Sequence, residues 1–225
     1  MTTTTNARIA GFTFLFYIAA GLTTMAMFGR ATGGAGIAAK LAGIARHATE
    51  VRVVLVLLLM QCFAAIVLGV TLWALTREHD PHLAMLALAC RVGEGVLSAT
   101  SIPATQSLLW LATASGKDAP ESGAAHALGA YLLTGDVALT ATFFAVGSAI
   151  FCWLLLRGRM IPAPMAWLGL VASLLLVVVL PLQLGGFVHG PFAALVWLPM
   201  LAFEVPFALW LLIKGVATPA GAKTA

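Results

Sequence analysis

The chain is predicted to be an all-α polytopic membrane protein, a bundle of six transmembrane helices. Three observations predict this class. Hydrophobic residues fill 61% of its 225 positions and charged residues only 9%. An ordinary soluble domain is roughly 25% charged, so these charges could not cover the surface of a water-soluble globule. The mean hydropathy is +1.03. The apolar residues are also gathered into runs of about 20, the length an α-helix needs to cross a bilayer, with short polar segments between them.

The first span is residues 10–28, AGFTFLFYIAAGLTTMAMF, behind the polar start MTTTTNAR. That start is short of the positive charge of a signal peptide, and no clear small-residue cleavage site follows, so a retained helix is expected. Residues 51–76, VRVVLVLLLMQCFAAIVLGVTLWALT, form the second span, 82–114 the third and 128–156 the fourth. The fifth covers 163–184 and the sixth 191–214, giving one membrane domain over 1–225. The connections are short. REHDPH is a tight turn with Pro81, GKDAPESG is a solvated loop, and the prolines of RGRMIPAP start the next helix. The longest, 29–50, contains IAAKLAGIARHATEV, with Ile37, Leu41 and Ile44 on one face and Lys40 and His47 on another. It reads as a short interfacial helix between the first two spans, or as a solvated one. No internal repeat of the inverted-repeat transporter kind is visible.

Six spans put both termini on one side, with Arg8, Arg77, Arg157, Arg159, Lys214 and Lys223; Arg30, Lys40, Arg46, Arg52 and Lys117 fall on the other. The RGR turn and the last lysines are the short-segment charges that the positive-inside rule weighs most, which places the termini in the cytoplasm. Trp73, Trp153, Trp167 and Trp210 fall at the terminus-side ends of their helices, where an interfacial aromatic belt would lie. The net charge of +4 is scattered over segment ends with no basic stripe. It suits contact with membrane lipids and excludes nucleic acid as a partner.

Motifs for soluble chemistry are missing. Cys62, Cys90 and Cys152 lie singly in apolar runs, which argues against a disulfide framework or a metal site. No Gly-rich phosphate loop, H-E-x-x-H or G-x-S-x-G occurs. The histidines sit in or beside loops, so a bis-histidine haem is not expected. No lysine sits mid-span to carry a Schiff base, and no cofactor is expected.

Charges inside spans cost roughly 2.5–3.5 kcal/mol each on insertion scales, and four are present: Arg91, Glu94, Asp136 and Glu204. Arg91, Glu94, Ser98, Ser101 and Thr105 share an arc of about 80° on one helix, a polar stripe that must face the bundle interior or water. Pro103 lies in the same helix and leaves the carbonyl of Ala99 without its usual amide partner, so a kink or local opening is expected there. Such a helix lines a cavity, or satisfies its hydroxyls on its own carbonyls. By rise per residue, Glu94 and Glu204 each lie within roughly 5 Å of the middle of their helices, with Arg91 one turn nearer the terminus side. These three could meet if the third and sixth helices are neighbours. Asp136 lies about 13 Å away along the membrane normal, on a face with Gly129, Thr140 and Gly147. One acid can pair with Arg91, and an acid left over in hydrocarbon is expected to hold a proton. Trp197 shares a face with Glu204 and reads as a pocket wall or as interior packing. Pro199 and Pro206 bracket Glu204 and make its helix irregular.

ARIAGFTFLFYIAAG, CRVGEG, LLRGRMIPAPMAWLGLVAS and FEVPFALWLLIKGV together resemble a bacterial multi-pass membrane family, domain of unknown function four-three-eight-six. The resemblance spans nearly the whole chain and is most specific at Arg91, Glu94 and Glu204. It implies a six-helix fold and a bacterial inner membrane, and no activity. Family members tend to carry a histidine after the paired aromatic residues of the fourth helix; this chain has Gly147 in FFAVG.

Three functions fit. The first is permeation or binding of a small molecule, ion or lipid ligand, with Arg91, Glu94, Ser98, Asp136, Glu204 and Trp197 as candidate residues. The second is a non-catalytic membrane partner subunit whose polar layer fixes helix packing. The third is an enzyme on a lipid-like or isoprenoid substrate, with Glu204 or Asp136 as general acid and Arg91 as anion holder. The third is the least supported, because no nucleophile–base pair or metal set accompanies it.

Overall fold

A computed structural model describes residues 2–135, 137–190 and 194–217. Among them the secondary structure is helical: α1 (Thr3–Ala31), α2 (Ile37–Arg46), α3 (Ala48–Thr76), α4 (Pro81–Ser98), α5 (Ser101–Thr113), a 3₁₀ turn at Gly116–Asp118, α6 (Ser122–Leu133), α7 (Ala138–Arg157), α8 (Ala163–Leu184) and α9 (Leu198–Ile213). Five segments are long and apolar enough to cross a membrane: Thr3–Ala31, Ala48–Thr76, Pro81–Thr113, Ser122–Arg157 and Ala163–Leu184. Large apolar side chains on them are open, among them Phe12 at 65%, Phe63 at 62% and Val178 at 61% exposure. Soluble monomers rarely expose such surface over whole helices; on a membrane-spanning helix it is the lipid face.

Three spans differ in detail from the sequence reading, each for a local reason. The third is two helices, broken at Ala99–Thr100. The ring of Pro103 would strike the carbonyl of Ala99 in a continuous helix, and that carbonyl instead accepts from the Ile102 amide at 3.1 Å, a tighter i→i+3 bond. The fourth is also broken, between Leu133 and Ala138. The Thr134 amide reaches back only three residues, to Tyr131, and the Thr134 hydroxyl takes the same carbonyl at 2.6 Å, with Gly135 next. The sixth contains α9, whose 16 residues reach only about 24 Å of the roughly 30 Å hydrocarbon core; residues 191–193 lie outside the described residues.

The chain folds as two compact units. The first comprises Met1–Ile18, Phe63–Gly95 and Val137–Ala225. Its core holds Leu68, Leu155, Leu176, Met200 and Leu211, all fully or almost fully buried. Glycines set how closely its helices approach. A Cβ on Gly11 of α1 would lie 2.6 Å from the Ala208 carbonyl and the Leu212 amide of α9. One on Gly169 of α8 would lie 2.6 Å from the Phe203 ring and 2.7 Å from Cys152 Sγ.

The second unit comprises Ala19–Cys62 and Val96–Asp136. Here the apolar face read in residues 29–50 is α2, and it packs on protein: Ile44 is fully buried with Val51, Leu108 and Leu109, and Ile37 and Leu41 lie against Gly129 of α6. Gly129 therefore belongs to this unit, while Gly147 lies in α7 of the first. The helix is interrupted between them. Asp136 itself lies outside the described residues.

Candidate functional site

Four helices of the first unit, α1, α4, α7 and α9, bring polar or aromatic side chains to one buried layer. Arg91 and Glu94 stand one turn apart on α4, and i,i+3 spacing sets side chains on the same helix face. Arg91 Nη1 lies 2.9 Å from Glu94 Oε2, and each side chain is 1% exposed. From α1 the Tyr17 hydroxyl donates to Glu94 Oε1 at 2.7 Å. Glu94 thus receives an ion pair on one oxygen and a phenol on the other.

Two glycines make room for the arginine. A Cβ on Gly69 of α3 would come within 2.8 Å of Arg91 Cβ, and one on Gly147 of α7 within 3.4 Å of Arg91 Cδ. Gly147 is thus a place where the Arg91 stem passes. The guanidinium then lies between aromatic rings, 5.1 Å from the Phe144 centroid and 5.9 Å from that of Tyr17. Both are within cation–π range. Trp197 stacks on Phe144 at 6.0 Å and 27°, so it backs the wall that faces Arg91.

Glu204 on α9 is 9% exposed and lies within electrostatic range of Arg91, Glu94 and Tyr17. Its Oε1 is buried with no hydrogen-bond partner among the described residues, and the same holds for Nε and Nη2 of Arg91. An arginine offers five N–H donors, and this one directs Nη1 alone to an acid. The layer therefore presents unsatisfied donors and an unsatisfied acceptor inside an aromatic wall. Nearby, the Cys152 thiol meets Ser173; all three cysteines are buried.

Arg91, Glu94, Glu204 and Trp197 thus gather in the first unit. Ser98 ends α4 one turn beyond Glu94; by contact it groups with the second unit, as do Ser101, which donates to the Ser98 carbonyl at 2.6 Å, and the buried Thr105. The polar stripe is divided, and at Ser101 the hydroxyl bonds its own chain. Tyr17, Phe144, Gly69 and Gly147 complete the layer and were not singled out as site residues from sequence. Tyr17 had a signal, being one of two tyrosines in the chain and lying mid-span. The glycines had none without knowing which helices meet.

The Tyr17 bond gives a direct test of how tightly the layer is held. Tyr17→Phe removes only the hydroxyl and leaves the ring beside Arg91. A hydrogen bond to a charged group contributes about 1.5–3 kcal/mol, and a loss of that size is expected in detergent unfolding. No loss would mean that Glu94 is satisfied elsewhere.

No curated protein and no solved structure matches the chain. A family model does, over residues 9–215, which takes in every residue of the layer just described: the chain belongs to the family described as Domain of unknown function (DUF4386).

Proposed function

We propose that this membrane protein binds a small ligand within its membrane domain, in the layer of Tyr17, Arg91, Glu94 and Glu204. One observation carries the reading: among the described residues, Arg91 Nε and Nη2 and Glu204 Oε1 are buried without hydrogen-bond partners. Buried polar groups are nearly always satisfied, and leaving one unsatisfied costs about 1–3 kcal/mol. A molecule with a carbonyl or carboxylate for Arg91 and a hydroxyl or amine for Glu204 would satisfy both sides. Phe144, Tyr17 and Trp197 would give its apolar part a wall. In this reading the protein resides in a bacterial inner membrane with both termini in the cytoplasm. Asp136 and Ser98 are not required.

A second reading, a partner subunit whose layer only fixes packing, draws on the Tyr17–Glu94–Arg91 contacts. Glu204→Gln separates the two. It keeps shape and volume while removing the charge and turning one acceptor oxygen into an N–H donor group, so the fold should survive. Mass spectrometry of small molecules released from the purified protein is expected to find a species enriched in wild type and depleted in Glu204→Gln and Arg91→Lys. Equal yields of every species from all three proteins would defeat the binding reading.

A further inference from the structure

Away from the buried layer, the first unit has a cavity of about 420 Å³ where the turn between α7 and α8 meets the end of α9. Its lining includes Arg159, Met160, Pro162, Trp210, Lys214 and Val216. The two cations have no acidic partner among the described residues, whereas the neighbouring Arg157 lies 4.0 Å from Asp80. The two turns are tied together: the Ala217 amide donates to the Met160 carbonyl at 2.9 Å. The positions from which Arg159 and Lys214 reach the cavity are therefore fixed by backbone.

Arg159 carries a second, independent mark. It is the single described non-glycine residue with positive φ, at 49°. Its setting explains the angle. The Arg159 amide bonds the Leu156 carbonyl and the Met160 amide bonds that of Leu155, the paired closure of a Schellman helix end. The residue at that left-handed position is usually glycine, since a Cβ is strained there. The chain follows that rule at the end of α8, where Gly186 has φ 77° and the amides of Gly186 and Phe187 close on Gln183 and Leu182 in the same pattern. At the end of α7 the glycine stands one residue early, at Gly158, and an arginine takes the strained place. Strain held at one position and relieved at its equivalent points to a use for the side chain.

The surroundings name the ligand. Trp210 lines the cavity, and Trp153 and Trp167 are 43% and 54% exposed near the same ends of α7 and α8. Tryptophan at helix ends marks the headgroup level of a membrane. Ile213, next to Lys214, is 68% exposed and offers apolar surface for an acyl chain. The α8 N-terminus opens beside the cavity after Pro162, and its dipole favours negative charge. We propose that this cavity is a headgroup site for an anionic phospholipid, its phosphate held between Arg159 and Lys214 and its glycerol end against Trp210. It is separate from the ligand layer of Arg91 and Glu204 and does not depend on it.

Arg159→Gly makes the test clean, because it removes the cation and relieves the backbone. Thermal unfolding of this variant in detergent should be at or above that of wild type. Native mass spectrometry with added phosphatidylglycerol or phosphatidylcholine is then expected to show preferential retention of phosphatidylglycerol by wild type. Arg159→Gly and Lys214→Gln should each reduce that retention by about fivefold, the effect of one cation at a charged membrane surface. Arg52→Gln, in the other unit, should leave it unchanged. Equal retention of the two lipids, or retention of phosphatidylglycerol undiminished in Arg159→Gly and Lys214→Gln, would overturn the proposal. So would full displacement of the lipid by millimolar inorganic phosphate, which would mark a free-anion site.

Discussion

Replacing Glu94 with alanine is expected to lower stability in detergent by about 3–5 kcal/mol, the cost of leaving one half of a buried ion pair behind. Arg91 is 1% exposed, and Glu94 is the acid at contact distance among the described residues. Its stem is held between Gly69 and Gly147, so the guanidinium has little freedom to seek water or Glu204. Unfolding midpoints in a denaturing-detergent titration would measure the loss. The paired change Arg91→Met with Glu94→Leu should recover most of it, since apolar residues of similar volume often replace a buried pair without cost. In a bilayer each charge also carries its insertion penalty. Recovery would mean that the fold does not need the pair, leaving recognition as the reason it is present. If the double variant is as unstable as Glu94→Ala, the pair is a structural clip and the packing reading gains.

The membrane class and the helices were legible because hydrophobic run length is a one-dimensional property. So was Arg91 with Glu94, because i,i+3 spacing fixes their contact whatever the rest of the chain does. The opening at Pro103 was legible too, because its ring removes the amide partner of the Ala99 carbonyl. What periodicity could not give is where Ser101 and Thr105 point beyond it. It projects them onto the face of Arg91 only if the helix stays continuous, and α4 ends at Ser98. The same limit applies to the fourth span. No proline marks its break, and a Thr-Gly step within an apolar run is weak evidence for one. Depth along the helix axis placed Glu204 at the level of Arg91, but depth says nothing about rotation. Tyr17 was missed for that reason. It lies on the first span, 77 residues from Glu94 in sequence, and only the packing of α1 against α9 brings its hydroxyl to the layer.

That packing predicts the second large effect, at a residue outside the site. Gly11 of α1 faces the backbone of α9 at Ala208 and Leu212, and Phe14 meets Phe207 edge-on at 5.7 Å. Moving up α1 thus moves down α9, an antiparallel register that carries Tyr17 to the level of Glu204. Alanine at Gly11 would already press its Cβ on main-chain atoms, which cannot rotate away as a side-chain tip can. Valine adds two methyl groups to the same contact. Gly11→Val should therefore cost at least the upper end of the usual 1–3 kcal/mol for overpacking, with Gly11→Ala intermediate. Both variants should also weaken ligand retention, although Gly11 lies about 9 Å along the helix from Tyr17, because forcing α1 from α9 separates the hydroxyl that holds Glu94 from the helix that supplies Glu204. Tyr17→Phe combined with Gly11→Ala should then lose less than the sum of the two single changes, the signature of sites that act through one contact. Strict additivity would show that α1 supports the layer through Tyr17 alone, independently of how it packs on α9.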